Sequence, residues 1–258
     1  MLRWRLLTAA LLAPVVLGAI ALGGWAIPAA LLLVITLASY ELAQALHPLP
    51  FLAAFAAGAL PVVFATFYGP NGALAGAVLG LPNALLWLGG RPEARTLRAV
   101  LALLLMALWV GTPLSYLWLL DQLPDGAFLV LTAVVGPWVS DAGAYFAGRL
   151  FGRHKLFPTL SPKKTYEGAI GGLLLTVAAV APFAHAFLNF GAAEAVLLGT
   201  VVSVFSQAGD LFESTLKRLL EIKDLGSILP GHGGILDRID SLLFTAPAVY
   251  YLYLIFNP

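Results

Sequence analysis

The sequence predicts an all-α integral membrane protein with about nine transmembrane helices. Two observations carry this prediction. Of the 258 residues, 60% are hydrophobic, with a mean hydropathy of +0.93, and the charged residues are confined to a few short segments. Glu41 is the only charged residue between Leu6 and Gly90, and residues 99–120 carry no charge. A bilayer core takes about 20 apolar residues as helix, whereas lone strands in lipid would leave backbone groups unpaired.

Glycine, proline and polar clusters divide the apolar sequence into segments of transmembrane length, and the weakest division lies within residues 49–89. Arg3 and Arg5, before the first segment, also resemble the start of a signal peptide. We prefer an uncleaved helix, because no clear small-x-small cleavage site follows and further apolar segments come at once. The predicted spans are 6–22, 25–45, 49–67, 71–89, 99–120, 126–148, 168–189, 193–216 and 240–256.

The basic residues orient these spans. If the N-terminus is cytoplasmic, all 14 Lys and Arg residues fall in cytoplasmic segments, whereas the other side carries Asp121 and Asp125 but no base. This distribution follows the positive-inside rule, and an odd number of spans places the C-terminus outside. We expect one integrated membrane domain, with N-terminal helices in 1–98 and a catalytic region in 99–258. The cytoplasmic segments are 1–5, 46–48, 90–98, 149–167 and 217–239.

Several acidic residues lie within or at the end of predicted spans, where an ionised group costs about 2.5–3.5 kcal/mol at mid-bilayer. Asp210, Glu213, Ser214 and Lys217 follow an i, i+3, i+4, i+7 pattern and share one helix face. Hydration near the cytoplasmic interface is the alternative explanation for these acids. Glu41 has no charged neighbours in the sequence, and we assign it no role.

Asp237, Asp240 and Ser241 repeat the i, i+3, i+4 pattern on the next helix. Two helices that enter from the same side, with aspartates at their cytoplasmic ends, can converge on one cation. Oxygen ligands without a histidine or cysteine cluster suit Mg²⁺, which shares its coordination positions with waters and phosphate oxygens. The chain has no cysteine, which excludes disulfides and thiolate ligands.

A glycine-rich segment, Pro230-Gly231-His232-Gly233-Gly234, connects these two helices. A tight interhelical turn is the common explanation for such a segment. However, Lys217, Arg218, Lys223 and Arg238 flank it, and a glycine-rich turn before a helix presents free N–H groups to anions. The pattern therefore indicates a phosphate-binding turn, although it matches no standard nucleotide-binding motif.

A second cytoplasmic cluster covers residues 140–168 and is basic, with aromatic residues between the bases. Asp141, Tyr145 and Arg149 lie on one helix face, and Ser161-Pro162-Lys163-Lys164-Thr165 can form a turn with two ammonium groups beside it. The patch is short and tethered to the bilayer, so we expect no nucleic-acid partner. It suits a lipid headgroup or a triphosphate better.

The segment S-x-L-K-R-x4-K-D-x-G-x2-L-P-G-H-G-G-I-x-D-R-I-D, from Ser214 to Asp240, resembles the signature of the phosphatidate cytidylyltransferases. Gln207–Ser214, Ser140–Tyr145 and Ser161–Thr165 resemble the same family. The resemblance covers roughly the C-terminal half of the chain. It implies a multi-span homodimer in the cell (inner) membrane, with a cavity facing the cytoplasm, that converts CTP and phosphatidic acid to CDP-diacylglycerol and pyrophosphate. It also implies Mg²⁺, often with K⁺ as a second ion.

The resemblance, together with the patterns above, assigns candidate site residues. Metal ligands are expected at Asp210 and Asp237. Catalytic residues are expected at Lys217, Arg218, Lys223, Asp224, Asp240 and Asp141. Substrate-binding residues are expected at Ser214, Gly231, His232, Gly233, Gly234, Arg238, Ser161, Lys163 and Lys164.

The chemistry of such a transfer agrees with these residue types. The lipid phosphate oxygen would attack the α-phosphorus of CTP. Because a phosphomonoester has a second pKa of about 6, the nucleophile is mostly deprotonated at neutral pH and needs no strong general base. Alignment and charge neutralisation are what the protein must supply, and aspartates, bases and glycines suit both tasks.

Other classes of membrane protein fit the sequence less well. A transporter predicts charges near mid-bilayer and internal repeats, whereas here the charges lie at one face and no repeat is evident. An enzyme that activates an ether-linked phosphatidate, or a polyprenol kinase, is a closer alternative. A kinase would transfer the γ-phosphoryl group to an alcohol. The intact set of acids disfavours a catalytically silent scaffold.

Overall fold

The computed structural model describes residues 2–45, 49–88, 94–222, 225–226, 228 and 233–257. Within these ranges the chain is helical apart from one short β-hairpin, so the predicted fold class is confirmed at that level. The elements are α1 (Leu2–Leu22), α2 (Ala26–Ala45), α3 (Phe51–Leu88), α4 (Ala94–Leu105), a π-helical segment (Met106–Gly111), α5 (Thr112–Asp121), α6 (Gly126–Phe151), β1 (Lys155–Phe157), β2 (Ser161–Thr165), α7 (Tyr166–Phe187), α8 (Ala192–Leu219) and α9 (Leu236–Phe256).

Seven helices in the described part of the chain are long and apolar enough to cross a membrane. They cover Ala26–Ala45, Phe51–Gly80, Leu97–Asp121, Gly126–Phe151, Tyr166–Phe187, Ala192–Leu219 and Leu236–Phe256. Ala13–Leu22, within α1, is a shorter apolar helix. The chain is a multi-pass membrane protein by these criteria. The total of nine spans and the orientation of the termini stay predictions.

Helix α3 consists of two legs, residues 51–68 and 70–88, that fold back on each other. Gly69 breaks the helix with φ 63° and ψ −149°, between the predicted spans 49–67 and 71–89. Asn83 Nδ2 donates to the Ala53 carbonyl at 3.1 Å, and a Cβ at Gly76 would overlap the Leu60 carbonyl. Residue 53 therefore lies opposite residue 83, and residue 60 lies opposite residue 76. This is the register of an antiparallel helical hairpin.

The predicted span 99–120 is a continuous helical rod, from α4 through the π-helical segment to α5. Pro113 lies in the first turn of α5 and has no N–H to donate. The π-helical segment precedes it, and Thr112 Oγ1 satisfies the Ala107 carbonyl at 2.8 Å. A Cβ at Gly111 would overlap the Gly58 carbonyl, so α3 contacts the backbone of this segment directly.

The chain forms two compact units. One consists of Met1–Gln122 with Asp224–Ile239, and the other of Leu123–Lys223 with Asp240–Pro258. In the second unit, α6 packs against α7 through small residues, since a Cβ at Gly172 would lie 2.8 Å from the Ser140 carbonyl. Ser140 Oγ also contacts Ser203 Oγ of α8 at 3.0 Å, so α6 is held on two sides.

Two predicted cytoplasmic loops are shorter than expected. The predicted turn at Ser161–Thr165 is wrong, because these residues form β2, which pairs antiparallel with β1. In the second loop, α8 continues to Leu219 and α9 begins at Leu236, so Asp237 and Arg238 lie on the first turn of α9. Lys217 and Arg218 favour the extension of α8, because cations stabilise a helix C-terminus.

We expect Gly76→Ala to destabilise the protein, because the added methyl group would overlap the Leu60 carbonyl. Overpacking of this kind costs about 1–3 kcal/mol in the free energy of unfolding. Thermal unfolding in detergent measures the effect. Gly18→Ala is the matched control, since no atom lies within 4 Å of its added Cβ. A Gly76→Ala protein as stable as the wild type would contradict the helical hairpin.

Candidate active site

Three carboxylates come together in the second unit. Asp210 and Glu213 lie one turn apart on α8, and Asp240 lies on α9. One oxygen from each residue falls within 4.8 Å of the others. Gly209 makes this possible, because a Cβ there would lie 2.5 Å from the Asp240 carbonyl oxygen and 2.9 Å from Ser241 Cα. The backbones of α8 and α9 therefore touch beside the carboxylates.

Two lysines approach this carboxylate cluster. Lys164 Nζ of β2 lies 2.5 Å from Asp210 Oδ2, and Lys217 Nζ lies 3.0 Å from Glu213 Oε2 on the same helix. The cluster is largely withdrawn from solvent, since Glu213 is 1% exposed and Asp240 is 8% exposed. Burial strengthens every charge interaction here, so each carboxylate needs a compensating cation.

A β-hairpin carries Lys164 to the cluster, and Glu167 fixes that hairpin. Lys155 of β1 pairs with Thr165 of β2, the residue after Lys164. The Glu167 carboxylate accepts the Arg153 N–H at 3.1 Å and contacts His154 Nδ1 at 2.6 Å. Thr165 Oγ1 accepts the Gly168 N–H at 3.1 Å and so caps α7. A two-stranded hairpin is marginally stable alone, and these contacts attach it to α7.

The donor set fits a divalent oxygen-liganded cation such as Mg²⁺. Carboxylates about 5 Å apart repel by about 3 kcal/mol per pair at an effective dielectric constant of about 20. Asp141 interacts electrostatically with Asp240 and adds a fourth acid. Lys164 and Lys217 offset part of this repulsion, and a divalent cation would offset more of it. Asp210, Glu213 and Asp240 are the residues that could hold it.

The other predicted site residues of this unit lie on the same elements. Asp141 is exposed on α6, and Ser161 and Lys163 lie on β2 beside Lys164. Ser214 is half-buried next to Glu213 on α8. Arg218 is exposed, with Nε 3.4 Å from the Leu160 carbonyl.

The predicted phosphate-binding turn has a different environment from the one expected. Gly233 has φ 85°, which favours glycine, and Gly234 is buried. The Gly234 N–H donates to Asp237 Oδ2 at 2.9 Å. The next two N–H groups, of Ile235 and Leu236, donate to the Glu41 carboxylate. Protein carboxylates therefore accept the N–H groups of Gly234, Ile235 and Leu236, whereas residues 230–232 of the predicted turn lie outside the described residues and their phosphate-binding role stays a prediction.

Asp240, and not Asp237, supplies the α9 carboxylate of the cluster. Asp237 lies three residues earlier on the same helix, on its first turn with Arg238. The pairing of Asp210 with Asp237 at a metal ion stays a prediction. Lys223, Asp224, Gly231 and His232 were also predicted to take part, and they lie outside the described residues.

Sequence reasoning assigned no site role to Glu213, Glu41 or Glu167. Glu213 follows Asp210 by one turn, so the helical spacing that singled out Asp210 was a sufficient signal. The partners of Glu41 are nearly 200 residues away in the chain, at Ile235 and Leu236, and no local pattern could reveal them. Glu167 follows the expected turn directly, but its partners depend on the β-hairpin.

Fold and site together define an α-helical membrane protein with an oxygen ligand set suited to a divalent cation. Comparison with known proteins identifies its family. The sequence matches the cytidylyltransferase family over residues 3–256, and the chain therefore belongs to that family.

Three bacterial proteins named phosphatidate cytidylyltransferase are similar to this chain. The protein of Staphylococcus haemolyticus (strain JCSC1435) is 46% identical over 131 residues, which cover 50% of each chain. That of Staphylococcus saprophyticus is 43% identical over 142 residues, or 54% of each chain. That of Bacillus subtilis (strain 168) is 42% identical over 155 residues, covering 59% of this chain and 58% of the relative. The matched region thus covers between 50% and 58% of the length of these relatives.

We expect Lys217→Met to lower the free energy of unfolding by about 3–5 kcal/mol, because Glu213 would keep its buried charge without this ammonium partner. Thermal unfolding in EDTA measures the loss. Arg218→Met is the matched control: it removes the same charge one residue later, from an exposed side chain, and should change the stability by about 0.5 kcal/mol or less. The double variant Glu213→Gln/Lys217→Met should recover part of the lost stability. Equal losses of stability in Lys217→Met and Arg218→Met would contradict the pairing of Lys217 with Glu213.

Proposed function

We propose that this protein transfers the cytidylyl group of CTP to phosphatidic acid, giving CDP-diacylglycerol and pyrophosphate for phospholipid synthesis. The observation that carries the proposal is the cluster of Asp210, Glu213 and Asp240 with Lys164 and Lys217. Family membership and the names of the similar bacterial proteins support it. The chemistry of the cluster, with acids that suit a metal ion and ammonium groups that suit phosphates, supports the same reaction.

In this reaction a lipid phosphate oxygen forms a bond to the α-phosphorus of CTP, and the bond to the pyrophosphate oxygen breaks. Mg²⁺, when bound, would supply charge neutralisation for the phosphate oxygens. Asp210, Glu213 and Asp240 would hold it, with Asp237 as the further ligand expected from the sequence. No residue needs to act as a strong base, because the attacking phosphate is already ionised at neutral pH.

The lysines have a second role in this proposal. Lys164 and Lys217 neutralise the acids in the structure described above, and triphosphate oxygens are alternative partners for the same ammonium groups. Lys163 is exposed beside Lys164, and Arg218 is exposed beside Lys217. These side chains would orient the triphosphate and stabilise the charge on the leaving pyrophosphate. Lys223, Asp224, Gly231, His232, Gly233, Gly234, Arg238, Ser161, Ser214 and Asp141 keep their predicted roles as proposals.

We further propose nine spans, a cytoplasmic N-terminus and active site, and an external C-terminus in the bacterial cell membrane. The two legs of α3 support the count, because each is long enough for a separate pass if the legs cross as an antiparallel pair. The positions of all 14 Lys and Arg residues support the orientation. A homodimer, K⁺ as a second ion and the division at residue 98 stay predictions from the resemblance and the sequence.

Transfer of label from α-labelled CTP to extracted lipid, in detergent with phosphatidic acid and Mg²⁺, tests the function. We expect EDTA to abolish the transfer, and Asp210→Asn, Glu213→Gln and Asp240→Asn each to lower kcat by about 100-fold or more. Asp125→Asn is the matched control. It also replaces a carboxylate by an amide, but at the N-terminal end of α6, whereas Asp141 lies in the C-terminal half of that helix. Asp125 has φ 57°, which asparagine also tolerates.

Two outcomes would contradict this proposal. Label that stays in the aqueous phase with folded wild-type protein would rule out cytidylyl transfer, and γ-labelled nucleotide would then test a lipid kinase. Full turnover in Glu213→Gln would place the active site elsewhere, even if the reaction itself is correct.

The orientation is tested with single cysteines, because the natural sequence contains none. Thr159→Cys, in the exposed β-hairpin turn, should react with a membrane-impermeant maleimide only from the cytoplasmic side. Gln122→Cys and Asn257→Cys should react only from the outside. The predicted spans place residues 159 and 257 on opposite sides of the membrane. Labelling of Thr159→Cys and Asn257→Cys from the same side would therefore contradict the predicted topology.

A further inference from the structure

Glu41 of α2 is a buried carboxylate with an unusual set of partners. Its side chain is 2% exposed, in a helix of membrane-spanning length. A charge in such a position is costly unless hydrogen bonds compensate it, so its partners indicate why it is there. Those partners are the backbone amides of Ile228, Ile235 and Leu236, which lie in the same compact unit as Glu41.

Both carboxylate oxygens of Glu41 accept hydrogen bonds from this segment. The Ile235 N–H lies 2.9 Å from Oε1 and 2.8 Å from Oε2. The Leu236 N–H lies 3.2 Å from Oε2, and the Ile228 N–H lies 3.4 Å from Oε1. One side chain therefore ties the start of α9 to a point eight residues earlier in the chain. The free N–H groups at the start of α9 also favour a negative charge there.

The glycines of the segment are shaped around this carboxylate. A Cβ at Gly226 would overlap the carboxylate carbon of Glu41. A Cβ at Gly234 would lie 2.7 Å from Glu41 Oε2 and 3.0 Å from Asp237 Oδ2. Any larger residue at either position would push the segment away from Glu41. The absence of side chains at 226 and 234 is thus a second, independent sign that the segment is fitted to Glu41.

We propose that Glu41 is a positioning residue for the transfer reaction, an inference that rests on the proposed function. By fixing where α9 begins, Glu41 fixes the first turn of this helix, which carries Asp237, the metal ligand expected from the sequence. A carboxylate suits this role because it offers only acceptors. A glutamine would turn an amide N–H₂ group toward the N–H donors and lose at least one of the bonds.

The test compares Glu41→Gln with Ser39→Ala in hydrogen exchange and in steady-state kinetics. Ser39 is a matched control, since it is fully buried on the same helix and its Oγ has no hydrogen-bond partner within the part of the chain that the structure describes. In Glu41→Gln we expect faster exchange in the peptide spanning 225–238 and a fall in kcat of about 100-fold. The KM for CTP should change much less than kcat, because Glu41 contacts protein backbone. Ser39→Ala should match the wild type in both measurements.

Gly226→Ala provides a second route if Glu41→Gln does not fold. It keeps Glu41 but displaces its carboxylate, so exchange should rise and kcat should fall in the same direction. In a Glu41→Ala background, where the space is vacated, Gly226→Ala should cause no further loss of kcat. Such non-additivity is expected only if the two residues act through one contact.

Each outcome decides the inference. Unchanged exchange at 225–238 in both Glu41→Gln and Gly226→Ala would overturn it, and so would faster exchange with unchanged kcat. If the wild-type protein shows no cytidylyl transfer, the proposed function fails and the positioning role fails with it. The exchange measurements need no turnover, so they would still show separately whether Glu41 holds the segment.

Discussion

The touching backbones of α8 and α9 at Gly209 are the constraint on which the candidate site depends. Two helices normally keep their axes 8–10 Å apart, with side chains between them. At Gly209 nothing separates the helix backbones, and carboxylates from both helices consequently face one small volume. Their repulsion must be offset by cations. Lys164 and Lys217 supply part of the positive charge, and the oxygen ligands of the cluster suit a divalent cation that would supply more of it.

Elsewhere in the described chain, several acidic side chains accept hydrogen bonds from backbone N–H groups near element ends. The Glu41 carboxylate accepts the Ile235 N–H just before α9, and the Glu167 carboxylate accepts the Arg153 N–H before β1. Asp121 accepts the Gly24 N–H at 2.9 Å next to the start of α2. In each case a carboxylate connects segments distant in sequence. An apolar chain has few polar side chains with which to fix its connections, and the unpaired amides at element ends are available donors. Glu41, Glu167 and Asp121 therefore have an architectural use.

The sequence was a good guide to whatever depends on local pattern. Hydropathy located the helices, a short interruption at residues 68–70 anticipated the break at Gly69, and helical spacing placed Asp210 and Glu213 on one face of α8. It failed where distant segments decide the outcome. Lys164 was expected in a turn, yet β1 pairs with its strand. Local pattern also did not distinguish Asp240 from Asp237, which lies one helical turn earlier, whereas the contact at Gly209 brings Asp240 into the cluster. The assignment of Asp237 as a metal ligand stays a prediction. Glu41 could not be assigned at all without its partners near Ile235.

The helical hairpin of α3 also has a consequence for how the chain enters the membrane. Its turn at Gly69 and Pro70 carries no lysine or arginine, so the turn itself has no charge to hold it on one side of the bilayer. Gly72 and Gly76 place the second leg directly on the backbone of the first. A single leg inserted alone would expose this glycine face to lipid. The two legs are therefore best delivered by the insertion machinery together, and in the predicted topology Arg91, Arg95 and Arg98 follow the second leg on the cytoplasmic side.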